Sequence, residues 1–392
     1  MARERGFSTK AIHGTPPTVE QQTPSMPIYQ TSTFRFPDSE AYAETISFRA
    51  PGYTYTRGYG NPTVAAFEEQ MASLEGTEAA FGFASGMSAI HTVLAAHAGA
   101  GDRVVMSREL YGGTYALATR LLPRNGVEVT LVDPHDVDAV RDALPGAALF
   151  HVETIANPNV TVADLEALRS ACREAGVPAS VDNTFASPYL CTPARYGFDY
   201  VCHSATKYIG GHHDLIAGVV CTSTAGRERL RDVAIDTGAT MAPFEAWLCL
   251  RGLMTLALRM DRHSSSAKTL ARAVDGHPKI DRVHYPGLPS HPHHDVAARQ
   301  FPRGCGGMLA FEVAGGVDAG RRFCDALELA WVATSLGGTH TLVGHAASTT
   351  HRQMDPDARR AAGIADGLVR VSVGIEDVED IVADIEQALE SV

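Results

Sequence analysis

Lys207 lies in the run His203-Ser204-Ala205-Thr206-Lys207-Tyr208, between the apolar stretch Tyr200-Val201-Cys202 and the pair Gly210-Gly211. Asp182 stands 25 residues earlier, where the apolar run from Val177 to Val181 gives way to Asp182-Asn183-Thr184. A lone lysine in a glycine-rich loop is ordinarily a solvated charge, and an aspartate after a strand is ordinarily a turn residue or helix cap. Their joint placement changes the reading. Both follow strand-like apolar segments, so both loops fall at the carboxyl edge of a buried parallel sheet, where α/β proteins bind ligands. An amine, a set of hydroxyl donors and a carboxylate are thereby offered to one ligand.

Those three offers suit pyridoxal 5'-phosphate (PLP). Its aldehyde needs a lysine for a Schiff base, its phosphate needs hydroxyl and amide donors, and its pyridine nitrogen needs an acid partner to stay protonated. Lys207, Ser204 with Thr206, and Asp182 match these needs in turn.

The elements that must position them alternate. Ala79 to Phe83 reads as a strand, Ala84-Ser85-Gly86-Met87-Ser88 as a small-residue turn, and the following residues to Ala98 as a helix. Free N–H groups at such a helix start form an anion cradle, although the glycine spacing matches neither a dinucleotide fingerprint nor a P-loop. Strands are expected at Arg103 to Met106, Val127 to Val132 and Ala147 to Glu153, and helices at Gly112 to Leu122, Val137 to Leu144 and Val162 to Ala175. This alternation predicts an α/β fold with a mostly parallel sheet between helices. Tyr111, Glu153 and Asn157 fall on loops at the same edge as Asp182 and Lys207.

Before this region, residues 1–62 are polar and broken by Pro and Gly, and read as an extended arm. Thr63 to Leu74 then carries Val64, Phe67, Met71 and Leu74 at helical spacing. After it, Ala246 to Met260 reads as one long helix continued by Asp261 to Val274. Smaller elements follow: strands at Met308 to Val313, Leu329 to Ser335 and Leu368 to Val373, and helices at Gly320 to Leu327 and Val378 to Leu389. They form a smaller α+β domain. The expected division is an arm at 1–62, a PLP-binding α/β domain at 63–255 and a C-terminal α+β domain at 256–392.

Composition bounds the function. The 392 residues are 45% hydrophobic and 20% charged, an ordinary globular balance. A net charge of −12 argues against a general nucleic-acid binder. No apolar run approaches the ~20 residues that span a membrane, and the start, Met1-Ala2-Arg3-Glu4-Arg5, lacks the apolar core of a signal peptide. Seven cysteines without paired or CxxC spacing read as reduced thiols of a cytoplasmic protein. Two other chemistries lack partners in the chain. Ser204-x-x-Lys207 fits a serine-acylase pattern, but its K-T-G and S-D-N partners are missing. The clusters His291, His293, His294 and His212, His213, Asp214 have no well-spaced further metal ligand; the first reads as a solvated loop, the second as neighbours of the lysine loop.

A set of motifs in fixed order carries a family resemblance over nearly the whole chain. They are Tyr55-x-Arg57 before Asn61-Pro62-Thr63, Ala84-Ser85-Gly86-Met87, Tyr111-Gly112-Gly113-Thr114 and Glu153-Thr154-x-x-Asn157-Pro158. Val181-Asp182-Asn183-Thr184-Phe185, Ser204-Ala205-Thr206-Lys207-Tyr208, Ser335-Leu336-Gly337-Gly338 and the run Leu368 to Gly374 complete the set. The sequence resembles the Cys/Met-metabolism PLP enzymes, the group of cystathionine γ-synthase, cystathionine γ-lyase and methionine γ-lyase. The resemblance implies the fold type I architecture with its seven-stranded sheet, and a homotetramer built from active-site-sharing dimers. It also implies that Lys207 binds PLP and Asp182 pairs with the pyridinium. Ser204, Thr206 and the backbone of Gly86 and Met87 would hold the phosphate, and Thr184 joins the cofactor-binding set. Tyr55 and Arg57 would reach that phosphate from the neighbouring subunit. Tyr111 would stack on the ring and act as acid or base, Asn157 would bond the ring hydroxyl, and Arg370 with Ser335 would clamp the substrate α-carboxylate.

Departures from the family pattern bear on substrate. The arginine that cystathionine-using members place shortly after Tyr-Gly-Gly-Thr is here Ala116, preceded by Tyr115. The glutamate after Ser-Leu-Gly-Gly is here His340. Both changes favour a small apolar γ-substituent, whereas Gly113 stands where methionine γ-lyases carry cysteine. The expected activity is a carbon–sulfur γ-lyase releasing 2-oxobutanoate, ammonia and a thiol from L-methionine or a similar amino acid. Cystathionine cleavage and γ-replacement on cystathionine γ-synthase or O-acylhomoserine sulfhydrylase lines are the alternatives.

Overall fold

The computed structural model describes residues 5–14, 23–350, 352, 355, 357 and 363–392. Seven strands build the first sheet: β1 (Ala79–Phe83), β2 (Arg103–Ser107), β3 (Glu128–Val132), β4 (Leu149–Glu153), β5 (Ala179–Asp182), β6 (Tyr200–Ser204) and β7 (Gly218–Thr222). Their order is β1-β7-β6-β5-β4-β2-β3, with β7 antiparallel to both neighbours and every other pairing parallel. Nearly every residue of β4, β5, β6 and β7 is buried, as expected for a sheet covered on both faces. One face packs Val105, Val152, Val181, Val201 and Val219 into a core with Phe67 and Met71. The other packs Met106, Leu149, Cys202 and Val220 against Ile90, Val93 and Leu94.

Two helices bracket the edge that matters. Helix α3 (Pro62–Glu75) has Pro62 in its first turn, and Asn61 accepts from the Thr63 amide at 2.9 Å. Helix α4 (Gly86–His97) starts on a reciprocal cap between Ser85 and Ser88. Numbered from the N-terminus, the helices before them are α1 (Phe7–Ile12) and α2 (Ser39–Ile46). The described residues of the first 61 therefore contain two short helices joined by irregular segments. Residues 1–4 and 15–22 of that stretch lie outside the described residues.

A second sheet follows, built from β8 (Ile280–His284), β9 (Met308–Val313), β10 (Trp331–Val332), β11 (Leu342–His345) and β12 (Leu368–Ser372), in the order β10-β11-β12-β9-β8. Leu309, Phe311, Val343, Val369 and Val371 form its core with Leu270, Phe323, Ile381 and Ile385 from the helices Leu256–Val274, Gly316–Asp325 and Val378–Glu390.

Several elements differ from the sequence reading for identifiable reasons. Ala246 to Met260 is two helices, Pro243–Leu253 and Leu256–Val274. Gly252 lies so close to the Lys207 loop that a Cβ there would sit 2.3 Å from the Ile209 carbonyl oxygen. The buried Arg259 donates to the Gly252 carbonyl freed by the break and to the Tyr208 carbonyl, both at 2.6 Å. The helix expected from Val162 begins at Leu165, because Asp164 caps it through the Ala167 amide at 3.2 Å. The helix expected from Gly320 begins at Gly316, after Gly315 at φ +95°. Of Leu329 to Ser335 only Trp331–Val332 is strand, and Ser335 has φ +85°. That turn carries Ser335 away from the sheet and toward Lys207.

Candidate active site

The loop after β6 folds back on itself. The Lys207 amide donates to the Ser204 carbonyl at 3.2 Å, Gly210 to Ala205 at 2.8 Å and Gly211 to Lys207 at 2.7 Å. Gly211 has φ +76°, and a Cβ there would strike the Arg259 guanidinium. From the second sheet, the segment 335–338 lies directly on this turn: a Cβ at Gly337 would be 2.8 Å from the Tyr208 nitrogen. The close approach brings the Ser335 hydroxyl to Lys207 Nζ, which donates to it at 2.8 Å. Burial, and then the charge of Arg370, lower Lys207 from 10.5 to about 8.

Arg370, on β12, donates through Nη2 to the Ser335 carbonyl at 2.8 Å and through Nη1 to Asn157 Oδ1 at 3.3 Å. Asn157 precedes a cis proline, Pro158. Burial pulls the guanidinium below its ordinary pKa, so an anion would be a favourable partner.

A second chain of bonds holds Asp182. Its Oδ1 accepts the Thr184 amide at 3.0 Å and the Thr184 hydroxyl, and Thr184 Oγ1 accepts the Ser204 amide at 2.8 Å. Among the described residues Oδ2 has no hydrogen-bond donor. Burial raises the Asp182 carboxyl, against the lowering action of the Thr184 bonds and the His203 charge. A buried carboxyl with one oxygen committed and one free is suited to a cationic ring nitrogen.

The anion cradle is the start of α4. The helical ladder leaves the Gly86 and Met87 amides unpaired, while Ser88 is satisfied by the Ser85 cap. A Cβ at Gly86 would stand 2.6 Å from Ser204 Cβ, and one at Gly218 would stand 2.2 Å from the Ser85 carbonyl oxygen. The turn therefore seats against β6 and β7 only because both positions are glycine, and it places two amides beside the Ser204 hydroxyl. Tyr111 is 49% exposed and closes the other side, with Met87 Sδ and its own ring both within 3 Å of a Cβ built on Gly113.

Most sequence-selected residues thus meet at one sheet edge, with three exceptions. The Thr206 hydroxyl donates to the Ala217 carbonyl at 3.1 Å and accepts the Ala217 amide at 3.0 Å, so its proton is committed within the loop. Tyr55 is exposed, and Arg57 donates to the Ile235 carbonyl and lies over the Tyr55 ring. No hydrogen bond among the described residues joins either to the Lys207 cluster.

The competing readings fare differently. Lys207 bonds Ser335 rather than Ser204, so the acylase pair is not assembled. The 291–294 histidines are no solvated loop: His291 is 4% exposed, and His293 stacks on His135 at 4.0 Å and accepts the Val162 amide at 3.1 Å. They are a seam between the two sheets' loops. His213 packs on Gly338 in a left-handed conformation. No group of three metal-ligating side chains occurs among the described residues.

Glu153, which the sequence places at this edge without a role, ends β4 directly beside Asp182 in the parallel register and accepts the Tyr111 amide at 2.5 Å. Its role comes from contacts that neither residue type nor motif spacing signals.

The residues assembled here fit PLP: an amine near neutrality, a carboxyl with an open oxygen, an amide cradle and a buried guanidinium. A family model described as Cys/Met metabolism PLP-dependent enzyme matches residues 8–390. The chain belongs to this family. It is 44% identical over 394 residues to L-methionine gamma-lyase of Fusobacterium nucleatum subsp. polymorphum, covering 100% of this chain and 99% of the relative. It is 42% identical over 367 residues to O-succinylhomoserine sulfhydrylase of Pseudomonas aeruginosa, covering 92% and 90%. A solved Campylobacter jejuni structure with N'-pyridoxyl-lysine-5'-monophosphate superposes with a TM-score of 0.95 at 30% identity, over 99% of this chain and 100% of that one. The architecture is that of fold type I PLP-dependent enzymes.

Proposed function

We propose that this family member is a carbon–sulfur γ-lyase that converts L-methionine, or a similar γ-thio-substituted amino acid, to 2-oxobutanoate, ammonia and a thiol. The observation that carries the choice is what stands at the two positions where cystathionine-using relatives are expected to hold a distal carboxylate and amine. Ala116 offers no cation for a carboxylate, and His340, stacked on Trp331 with ring centroids 4.1 Å apart, offers no carboxylate for an amine. Without those partners a methylthio group is a better fit than a zwitterion. The 44% identity to a methionine gamma-lyase supports the same reading.

When bound, PLP supplies an electron sink for negative charge developing at Cα and Cβ of the substrate. The protein's own groups do the rest. Lys207 binds the cofactor, and its amine, lowered to about 8, removes the Cα proton and moves a proton off Cβ. Its bond to Ser335 Oγ fixes the direction of Nζ. Arg370, braced on the Ser335 carbonyl and on Asn157, grips the α-carboxylate with its remaining donors. Tyr111 delivers a proton to the departing sulfur, so that the product leaves as a thiol. Asp182, held by Thr184, keeps the pyridine nitrogen protonated. Ser204, Thr206, Gly86 and Met87 hold the phosphate, with Thr206 turning its hydroxyl from Ala217 when the phosphate arrives.

The same reading gives residues 1–62 to an arm on a neighbouring subunit, 63–255 to the PLP-binding domain and 256–392 to the C-terminal domain. Tyr55 and Arg57, unjoined to their own chain's site, serve the partner's phosphate in a homotetramer. Ile216 and Leu258, 67% and 73% exposed, are apolar surface that such an assembly would cover. All seven cysteines are free, which suits the reducing cytoplasm.

The deciding experiment measures 2-oxobutanoate release by PLP-loaded enzyme from L-methionine and L-cystathionine at equal concentrations. Preference for methionine is expected. Preference for cystathionine would overturn the reading of Ala116 and His340. Turnover only of an acylated homoserine with added thiol would replace lyase by sulfhydrylase chemistry, the activity named for the P. aeruginosa relative.

A further inference from the structure

Two acids end adjacent strands at the site. Glu153 and Asp182 are register partners on parallel β4 and β5, so their side chains share a face about 5 Å apart along the hydrogen-bonding direction. Glu153 is 6% exposed. Its Oε1 accepts the Tyr111 amide at 2.5 Å, and the Asn157 backbone also acts in favour of its charge. The carboxyl thus fastens the loop that carries Tyr111 to the end of β4.

We propose that Glu153 is a positioning residue that works as a proton-bearing brace, tying Tyr111 to the end of β4 while leaving Asp182 the negative charge beneath the ring. This rests on the PLP-site roles given above. Two carboxylates so close in a dry site do not both ionise, and the surroundings divide the single charge. Asp182 receives the Thr184 amide and hydroxyl on one oxygen and feels the favourable charge of His203. Burial most of all disfavours the ionised form of Glu153; it also faces Asp182 and, from the loop after β2, Glu109, whose charges add to burial against the Tyr111 amide bond and the Asn157 backbone. Glu109 is itself kept ionised by His135 and Thr161, with His293 adding its charge. The proton therefore rests on Glu153. A neutral carbonyl oxygen still accepts amide bonds, so the brace does not need the charge.

The test compares Glu153→Gln with Glu153→Ala. Glutamine keeps an acceptor oxygen and is permanently neutral; alanine leaves the Tyr111 amide without its acceptor. Apoenzyme titrated with PLP should bind with Kd within about threefold of wild type in Glu153→Gln, and about 30-fold or more weaker in Glu153→Ala. The induced circular dichroism of the cofactor band, which reports how Tyr111 holds the ring, should persist in the first variant and fall in the second. The pH midpoint of that band should move by less than about 0.3 unit in Glu153→Gln; an anionic Glu153 would instead shift it by about one unit or more on its removal. Equal losses in both variants, or a large pH shift in Glu153→Gln, would overturn the neutral brace. Wild-type binding and dichroism in Glu153→Ala would overturn the positioning role. These readouts need no substrate, so they stand apart from any failure of the methionine assignment.

Discussion

Replacing Arg370 by lysine keeps the charge and removes the fork. In the wild type the guanidinium spends Nη2 on the Ser335 carbonyl at 2.8 Å and Nη1 on Asn157 at 3.3 Å, and it has five N–H donors in all, so three remain for a substrate carboxylate. A lysine ammonium is a single point with three donors and cannot hold both braces and both carboxylate oxygens. Losing one charge-assisted bond in a buried site costs about 1.5–3 kcal/mol. At about 1.4 kcal/mol per tenfold, Arg370→Lys should lower kcat/KM for L-methionine by roughly 10- to 150-fold. The assay is 2-oxobutanoate release across a methionine series, with PLP affinity measured on the same preparation. The loss should appear chiefly as a raised KM, and PLP affinity should stay within about threefold, since Arg370 grips substrate rather than phosphate. A variant within about twofold of wild type in kcat/KM would refute the carboxylate clamp. A parallel collapse of PLP affinity would move Arg370 to cofactor binding.

Two further outcomes follow from the same geometry. Because the Lys207 amine titrates near 8 rather than 10.5, the rate of PLP capture by apoenzyme should rise with pH and level off just above 8. A rate still climbing beyond pH 10 would mean the amine is not desolvated. Arg57→Ala should weaken PLP retention during dialysis about tenfold, the worth of one charge-assisted phosphate contact. Unchanged retention in the intact oligomer would remove the cross-subunit contact.

Periodicity and punctuation in the chain were enough to place the chemistry on the fold. The apolar runs before Asp182 and Lys207, the Ser85-Gly86 turn and the alternation of strands with helices are local signals, because each reports which face of a short segment is buried. They determined the parallel sheet, its carboxyl edge and the residues gathered there. What they could not give is the pairing of groups distant in sequence. Lys207 meets Ser335 across 128 positions and Arg370 meets Asn157 across 213; only the docking of the second sheet decides such contacts. The break between Leu253 and Leu256 has the same origin, since the close approach of Gly252 to the Lys207 loop interrupts a pattern that reads as continuous helix. So has the burial of His291 and its stacked neighbours, in a segment whose Pro and His content reads as solvent-exposed. Glu153 marks the boundary: its residue type and motif were visible in the chain, but its role depends on which carboxyl keeps a proton. That is decided by burial, register and the neighbouring acids, all of them properties of the folded site.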